Sequence, residues 1–112
     1  YLVYFEGYFL EHIFSQCTDT GLLAASVHPD LLRLLEYDRT SGTEYTHTLR
    51  LYLSNNRNAA AAAAELHIHR STFFYRLGKM EELFDIQINS GKDLFAYEYS
   101  FRVLDYLKGQ KK

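Results

Sequence analysis

The side chains best equipped for chemistry lie between Asn58 and Lys79. His67 and His69 form a His-x-His pair, Arg70 and Arg76 carry forked cations, Ser71 and Thr72 carry hydroxyls, Tyr75 adds an aromatic phenol and Lys79 an ammonium. Two histidines on a turn with no Cys or Asp close by make a weak metal site, so no metal and no cofactor are expected. Nor is an enzyme expected. The chain has no Gly-rich phosphate loop, and no Ser/His/Asp, Cys/His or paired-carboxylate arrangement that its spacing supports. The same cations and hydroxyls suit contact with a phosphate backbone and with base edges. An arginine fork fits a phosphate or the edge of a guanine, while a lysine makes a point contact with a phosphate.

The charge distribution agrees with that chemistry although the whole chain is acidic, with a net charge of −2. Residues 46–80 carry five Arg or Lys against Glu65 alone, and they also hold His47, His67 and His69. Residues 1–45 carry Arg33 and Arg39 against seven acids. A local positive block bears on phosphate binding more than the global balance does.

These residues need helices to position them. Apolar spacing is helical throughout, and the period-two alternation of strands is missing. Leu2, Phe5, Phe9 and Ile13 stand at helical intervals over Tyr1–Gln16, with Tyr1, Tyr4 and Tyr8 as a second stripe. An arc that wide predicts cover from another domain or a second copy. Thr18–Gly21 is read as a break. Pro29 sits at a tolerated first-turn position, and Leu31, Leu34, Leu35 and Asp38 follow it; Arg39–Gly42 is read as a loop. A helix over about Glu44–Ser54 should bury Leu49, Tyr52 and Leu53, and Asn55-Asn56-Arg57 should end it. Asn58 is a good N-cap, and six alanines from Ala59 to Ala64 favour helix more than any other residue does. His67-Ile68 makes a short turn, and His67 is expected at positive φ, which His tolerates better than most residues. The next helix opens at His69 or Arg70 and runs to about Leu83. Ile86 to Gly91 is read as an extended connector, and a last helix over about Asp93–Leu107 should pack Leu94, Tyr97, Phe101, Leu104 and Leu107.

Two helices joined by so short a turn, the first poor in bulk, predict a helix-turn-helix. Helices that cross steeply need small side chains where their backbones approach, and the alanines supply them. At about 100° per residue, Phe73, Leu77, Met80 and Phe84 share an inward arc. Ser71, Thr72, Tyr75, Gly78 and Lys79 point outward, with Arg70, Phe74 and Arg76 on the flanks. The N-terminal half of a recognition helix makes the base contacts in such motifs, and its unpaired N–H groups favour a phosphate.

The string Leu66-His67-Ile68-His69-Arg70-Ser71-Thr72-Phe73-Phe74-Tyr75-Arg76-Leu77 resembles the signature of the C-terminal DNA-binding domain of PucR-type regulators, the group that includes purine-catabolism and sugar-diacid regulators. Leu34–Asp38, Thr48–Leu53, Asn58-Ala59 and Glu81-Glu82-Leu83 are similar to the same pattern, so the resemblance covers about Val27 to Leu107. It implies a small all-α bundle containing a Fis-like helix-turn-helix. It also implies a bacterial transcription regulator, with double-stranded DNA as partner and kinship to the Fis nucleoid protein, which acts as a dimer. Carried over residue by residue, the implied DNA contacts are His69, Arg70, Ser71, Thr72, Tyr75, Arg76 and Lys79. Ser71 stands where the family usually has Asn, and Gly78 where a basic residue is common, which removes one adenine-reading amide and one phosphate contact.

The resulting expectation is a sequence-specific DNA-binding domain with helix 70–83 in the major groove, acting as a homodimer in the cytoplasm. Residues 1–26 form an N-terminal helix and linker for domain or dimer contact, 27–108 the DNA-binding domain and 109–112 a frayed tail. A chain that opens on Tyr is expected to be a piece of something longer, its sensor domain lying upstream. The opening apolar run is too short to span a bilayer, so no membrane partner is expected. The alternative is a helical interaction or dimerisation module, with the wide apolar first helix as its working surface and the helix-turn-helix as scaffold.

Overall fold

The computed structural model describes residues 9–86 and 91–110, and within them the chain forms seven helices and no strand. They are α1 (Phe9–Gln16), α2 (Thr20–Ala25), α3 (Pro29–Ser41), α4 (Tyr45–Ser54), α5 (Ala59–Leu66), α6 (Arg70–Phe84) and α7 (Gly91–Gln110). The expected all-α bundle is therefore observed. Leu2, Phe5, the stripe of Tyr1, Tyr4 and Tyr8, and the connector residues Ile88 to Ser90 lie outside the described residues.

Local signals start and stop most of these helices. The Asp19 carboxylate accepts from the Leu22 amide and caps α2. The Thr18–Gly21 stretch read as a break is thus also a beginning, and α2 is an element that the periodicity did not reveal. His28 Nδ1 accepts from the Asp30 amide at 3.0 Å, and Pro29 fills the first turn of α3. That helix does not give way to a loop at Arg39. It continues through Ser41 and ends at Gly42, whose φ of 68° suits a residue without a Cβ. The polar residues of its last turn support it: Arg39 pairs with Glu36, and the Thr40 hydroxyl donates to the Glu36 carbonyl. Glu44 precedes α4 without capping it through its side chain. Asp38 does that from α3, its carboxylate accepting from the Tyr45 amide at 3.0 Å and the Thr46 amide at 2.8 Å.

The core lies around α4, which touches α3, α5, α6 and α7. Leu31 and Leu34 of α3, Leu49 of α4, Phe73 and Met80 of α6, and Tyr97 and Val103 of α7 are fully buried there. As expected, α4 buries Leu49, Tyr52 and Leu53, and it also buries Tyr45, Thr48 and Leu51. Both α1 and α2 pack on α7. In α1 the buried residue is Phe14, set edge-on to Tyr99 and Tyr106, while Phe9 and Ile13 of the predicted stripe stay exposed. Arg102 of α7 forks onto the Glu11 carboxylate at 2.9 and 3.0 Å. The start of α3 is tied to α7 as well: the His28 amide donates to Ser100 Oγ at 2.8 Å, and the His28 and Tyr97 rings lie 4.8 Å apart. At its C-terminal end α7 runs on past Leu107 to Gln110. None of the described helices is long and apolar enough to cross a membrane.

Candidate nucleic-acid interface

Asn58 begins α5 as the sequence predicts. Its side-chain oxygen accepts from the Ala61 amide at 3.1 Å, with its own backbone extended. Of the alanines, Ala62 and Ala63 are buried where α5 meets α4 and α6. A larger side chain there would push the helices apart, so the methyl groups set how closely they cross. At the other end of α5, His67 takes the left-handed conformation (φ 58°), as predicted. The His67 amide donates to the Ala64 carbonyl and the Ile68 amide to the Ala63 carbonyl, both at 3.1 Å. That closes the helix and redirects the chain within two residues.

His69 then caps α6. Its Nδ1 accepts from the Ser71 amide at 3.1 Å and lies 2.8 Å from Ser71 Oγ. Accepting through Nδ1 leaves the proton on Nε2, so the exposed imidazole offers a donor at the first turn of the helix. Among the described residues no group of three His, Cys, Asp or Glu side chains could hold a metal ion.

The inward face of α6 is Phe73, Leu77 and Met80, with the Phe73 ring 5.6 Å from that of Tyr52 in α4. Phe84, the fourth residue of the predicted inward arc, is half-buried. On the other side Arg70, Ser71, Thr72, Phe74, Tyr75 and Gly78 are exposed. Of these, Phe74 is the residue that helical geometry placed on a flank without a role. At 51% exposure it adds a second aromatic ring beside Tyr75 at 60%.

The three predicted cations of α6 are held differently. Arg70 is exposed, and among the described residues it makes no ion pair. Lys79 Nζ lies 3.7 Å from Glu82 and 5.7 Å from the centre of the Tyr75 ring. Arg76 is half-buried and donates through Nη1 to Thr48 Oγ1 of α4 at 3.0 Å. Thr48 is therefore part of the site, although no signal in the sequence links residues 28 positions apart. Arg76 also lines, with Thr72 and Tyr75, an open cleft of about 430 Å³ whose far wall is the turn Gly42–Tyr45. Burial raises the Tyr45 phenol above its ordinary value; Tyr37 and Tyr75 add to the shift, and Lys79 and Arg76 oppose it.

The positive block of residues 46–80 does not form one open face. Arg50 turns away onto α7, where it pairs with Asp105 at 2.8 Å and lies 4.6 Å from the centre of the Phe101 ring. Arg57 stays exposed in the turn before α5 at a φ of 62°.

A short first helix packed through alanines, a left-handed turn and a second helix with a polar outer face define the helix-turn-helix class. The PucR C-terminal helix-turn-helix domain matches residues 45–103, more than half of the chain, and the chain belongs to that family. Relatives agree. The chain is 38% identical over 60 residues to the proline-responsive transcriptional activator PutR of Bacillus subtilis (strain 168), a match that covers 54% of this chain and 15% of the activator. It is 40% identical over 58 residues to YxkF of the same organism, covering 51% of this chain and 20% of that protein. The matched stretch is thus a small part of the length of either relative. No solved structure matches. The family is one of transcription regulators and not a class of enzymes.

Proposed function

We propose that the chain is the sequence-specific DNA-binding domain of a bacterial transcription regulator, and that residues 70–83 enter the major groove. The observation that carries this is the outer face of α6. Its N-terminal half exposes Arg70, Ser71, Thr72 and Tyr75 on a helix whose opposite face is locked into the core by Phe73, Leu77 and Met80. Rigid support of that kind is what base readout needs, because contacts to base edges tolerate little misplacement. In this reading Ser71, Thr72, Tyr75 and Arg76 face base edges, and Arg70 takes a phosphate or a guanine. His69 Nε2 and Lys79 take phosphates, and α5 braces the motif on the backbone. The chain works as a homodimer in the cytoplasm, with two α6 helices about one DNA turn apart, roughly 34 Å, on an inverted repeat. Residues 27–108 are the DNA-binding unit, residues 1–26 make the domain or dimer contact, and the sensing part of the regulator lies outside this chain.

The test is fluorescence anisotropy with duplexes enriched from a randomised pool by the 112-residue chain, titrated at several salt concentrations. Binding should weaken linearly in log–log form as salt rises, and Arg70→Ala should cost roughly tenfold or more if its fork reads a base. No binding at low salt, or binding indifferent to salt, contradicts the reading.

A second reading, a helical assembly module, draws on Phe9 at 43%, Ile13 at 56% and Phe95 at 71% exposure on the neighbouring helices α1 and α7. It prevails if Ile13→Asp abolishes self-association while Arg70→Ala and Arg76→Ala leave DNA binding as it was.

A further inference from the structure

Thr48 carries a hydroxyl that is fully buried inside the core, and its two hydrogen-bonding roles are both taken. A threonine hydroxyl has one proton to give. Thr48 gives it to the carbonyl of Glu44, the residue just before α4 and one turn back, at 2.9 Å. Its lone pairs therefore face Arg76 as an acceptor, and Nη1 meets them at 3.0 Å. The acceptor cannot rotate away without breaking the bond to Glu44. Arg76 is thus the outward-reaching cation of α6 whose guanidinium is anchored to a different helix by an uncharged partner. Lys79, by comparison, is held by Glu82 of its own helix, and its charge is partly answered there.

We infer that Thr48 is a positioning residue for DNA recognition: it sets the guanidinium of Arg76 at the mouth of the cleft beside Thr72 and Tyr75, ready to read a base edge. First, a neutral acceptor orients an arginine without neutralising it, so the full charge stays available to DNA. Second, one N–H bonded to Thr48 leaves the rest of the fork for a bidentate contact. Third, an arginine free in solution must give up rotamer freedom on binding, and one already held has given up most of it. The turn Gly42–Tyr45 closes the far side of the same cleft, and Glu44 belongs to that turn while its carbonyl fixes Thr48. The N-terminal end of α4 and the α6 face are in this way one recognition unit.

This inference rests on the DNA-binding reading, and its test keeps the two apart. The 112-residue chain and its Thr48→Val, Thr48→Ser, Arg76→Ala and Thr48→Val/Arg76→Ala variants are titrated by anisotropy against the duplex most enriched from a randomised pool by the unaltered chain. Thermal unfolding of each is followed in parallel. Thr48→Val keeps the branched shape and removes the acceptor. It should weaken binding roughly three- to tenfold, the worth of one side chain that must be ordered on binding. Thr48→Ser should retain the affinity. In the Arg76→Ala background, Thr48→Val should change nothing further. If Thr48→Val no longer unfolds cooperatively, Thr48→Ala takes its place in the cycle. The inference is overturned if the Thr48 variant binds as well as the unaltered chain, or if its loss is as large when Arg76 is already gone, which would mark a purely structural residue. If the unaltered chain enriches no duplex and binds none, the DNA reading itself falls, and the role of Thr48 falls with it.

Discussion

Gly78 sits ninth in the fifteen residues of α6, exposed, on the same face as Ser71 and Tyr75, and a Cβ built there meets nothing within 4 Å. Two substitutions at this one position separate stability from DNA contact. Gly78→Ala removes the backbone freedom of a helix-interior glycine and should stabilise the domain by about 1 kcal/mol. For a domain of this size that raises Tm by about 4 °C. Gly78→Arg should keep most of that stability, since the side chain has open space to occupy. It should also add one phosphate contact if α6 lies along the groove. Each phosphate neutralised steepens the log–log salt dependence by about 0.9. The affinity of Gly78→Arg should then rise, relative to Gly78→Ala, by about eightfold more for every tenfold drop in salt. The assay is anisotropy on one selected duplex across a salt series, with differential scanning calorimetry for Tm. Equal salt slopes for the two variants, with the Tm gain present in both, would refute the placement of this turn of α6 against the DNA backbone. A fall in Tm for Gly78→Ala would refute the helix-interior argument.

Asn58→Ala removes the acceptor that holds the Ala61 amide and should cost about 1 kcal/mol, seen as a Tm drop of about 4 °C; an unchanged Tm would show that water replaces the cap without loss. Ala62→Leu forces extra bulk into the fully buried crossing of α5 with α4 and α6 and should destabilise by about 1–3 kcal/mol, with DNA affinity falling as the two helices separate; a stable variant with normal affinity would show that the crossing has room to spare. Because burial raises the Tyr45 phenol, the unfolded chain releases that proton first as pH climbs. Stability should therefore be fully present below the ordinary tyrosine value of about 10 and be lost as pH rises past it. Tyr45→Phe should flatten that alkaline limb in chemical-denaturation curves, and identical alkaline limbs in both proteins would contradict this account.

The helix-turn-helix was legible in the sequence because its signals are local. The Asn58 cap, the alanine run, the positive-φ turn at His67 and the 3.6-residue spacing of Phe73, Leu77 and Met80 each act within one or two turns, and each appears in the structure. α2 was not legible. It has six residues and buries only Leu23, too short for a period to show, and its capping Asp19 belongs to a residue class that marks loops equally well. The last turn of α3 reads as a loop by composition, but the Glu36–Arg39 pair and the Thr40 hydroxyl carry it to Gly42. In α1 Phe9, Leu10, Ile13 and Phe14 share one apolar arc, so spacing alone could not choose Phe14 over Phe9 and Ile13; the rings of Tyr99 and Tyr106 in α7 made the choice. The candidate site was legible as a face but not in its internal bonds. Asp105 takes Arg50 away from the positive block, and Thr48 takes hold of Arg76, across 55 and 28 residues of chain. Such pairings depend on how helices pack, which one-dimensional spacing does not contain.

Amide NMR of the 112-residue chain, titrated with its selected duplex, tests the central claim most directly. The account predicts that the largest shift changes fall on His69 to Lys79, with smaller ones at the start of α5 and in the Gly42–Tyr45 turn, and that a scrambled duplex moves fewer of them. Changes centred on α1 and α7 around Ile13 and Phe95, with α6 unmoved, would contradict it.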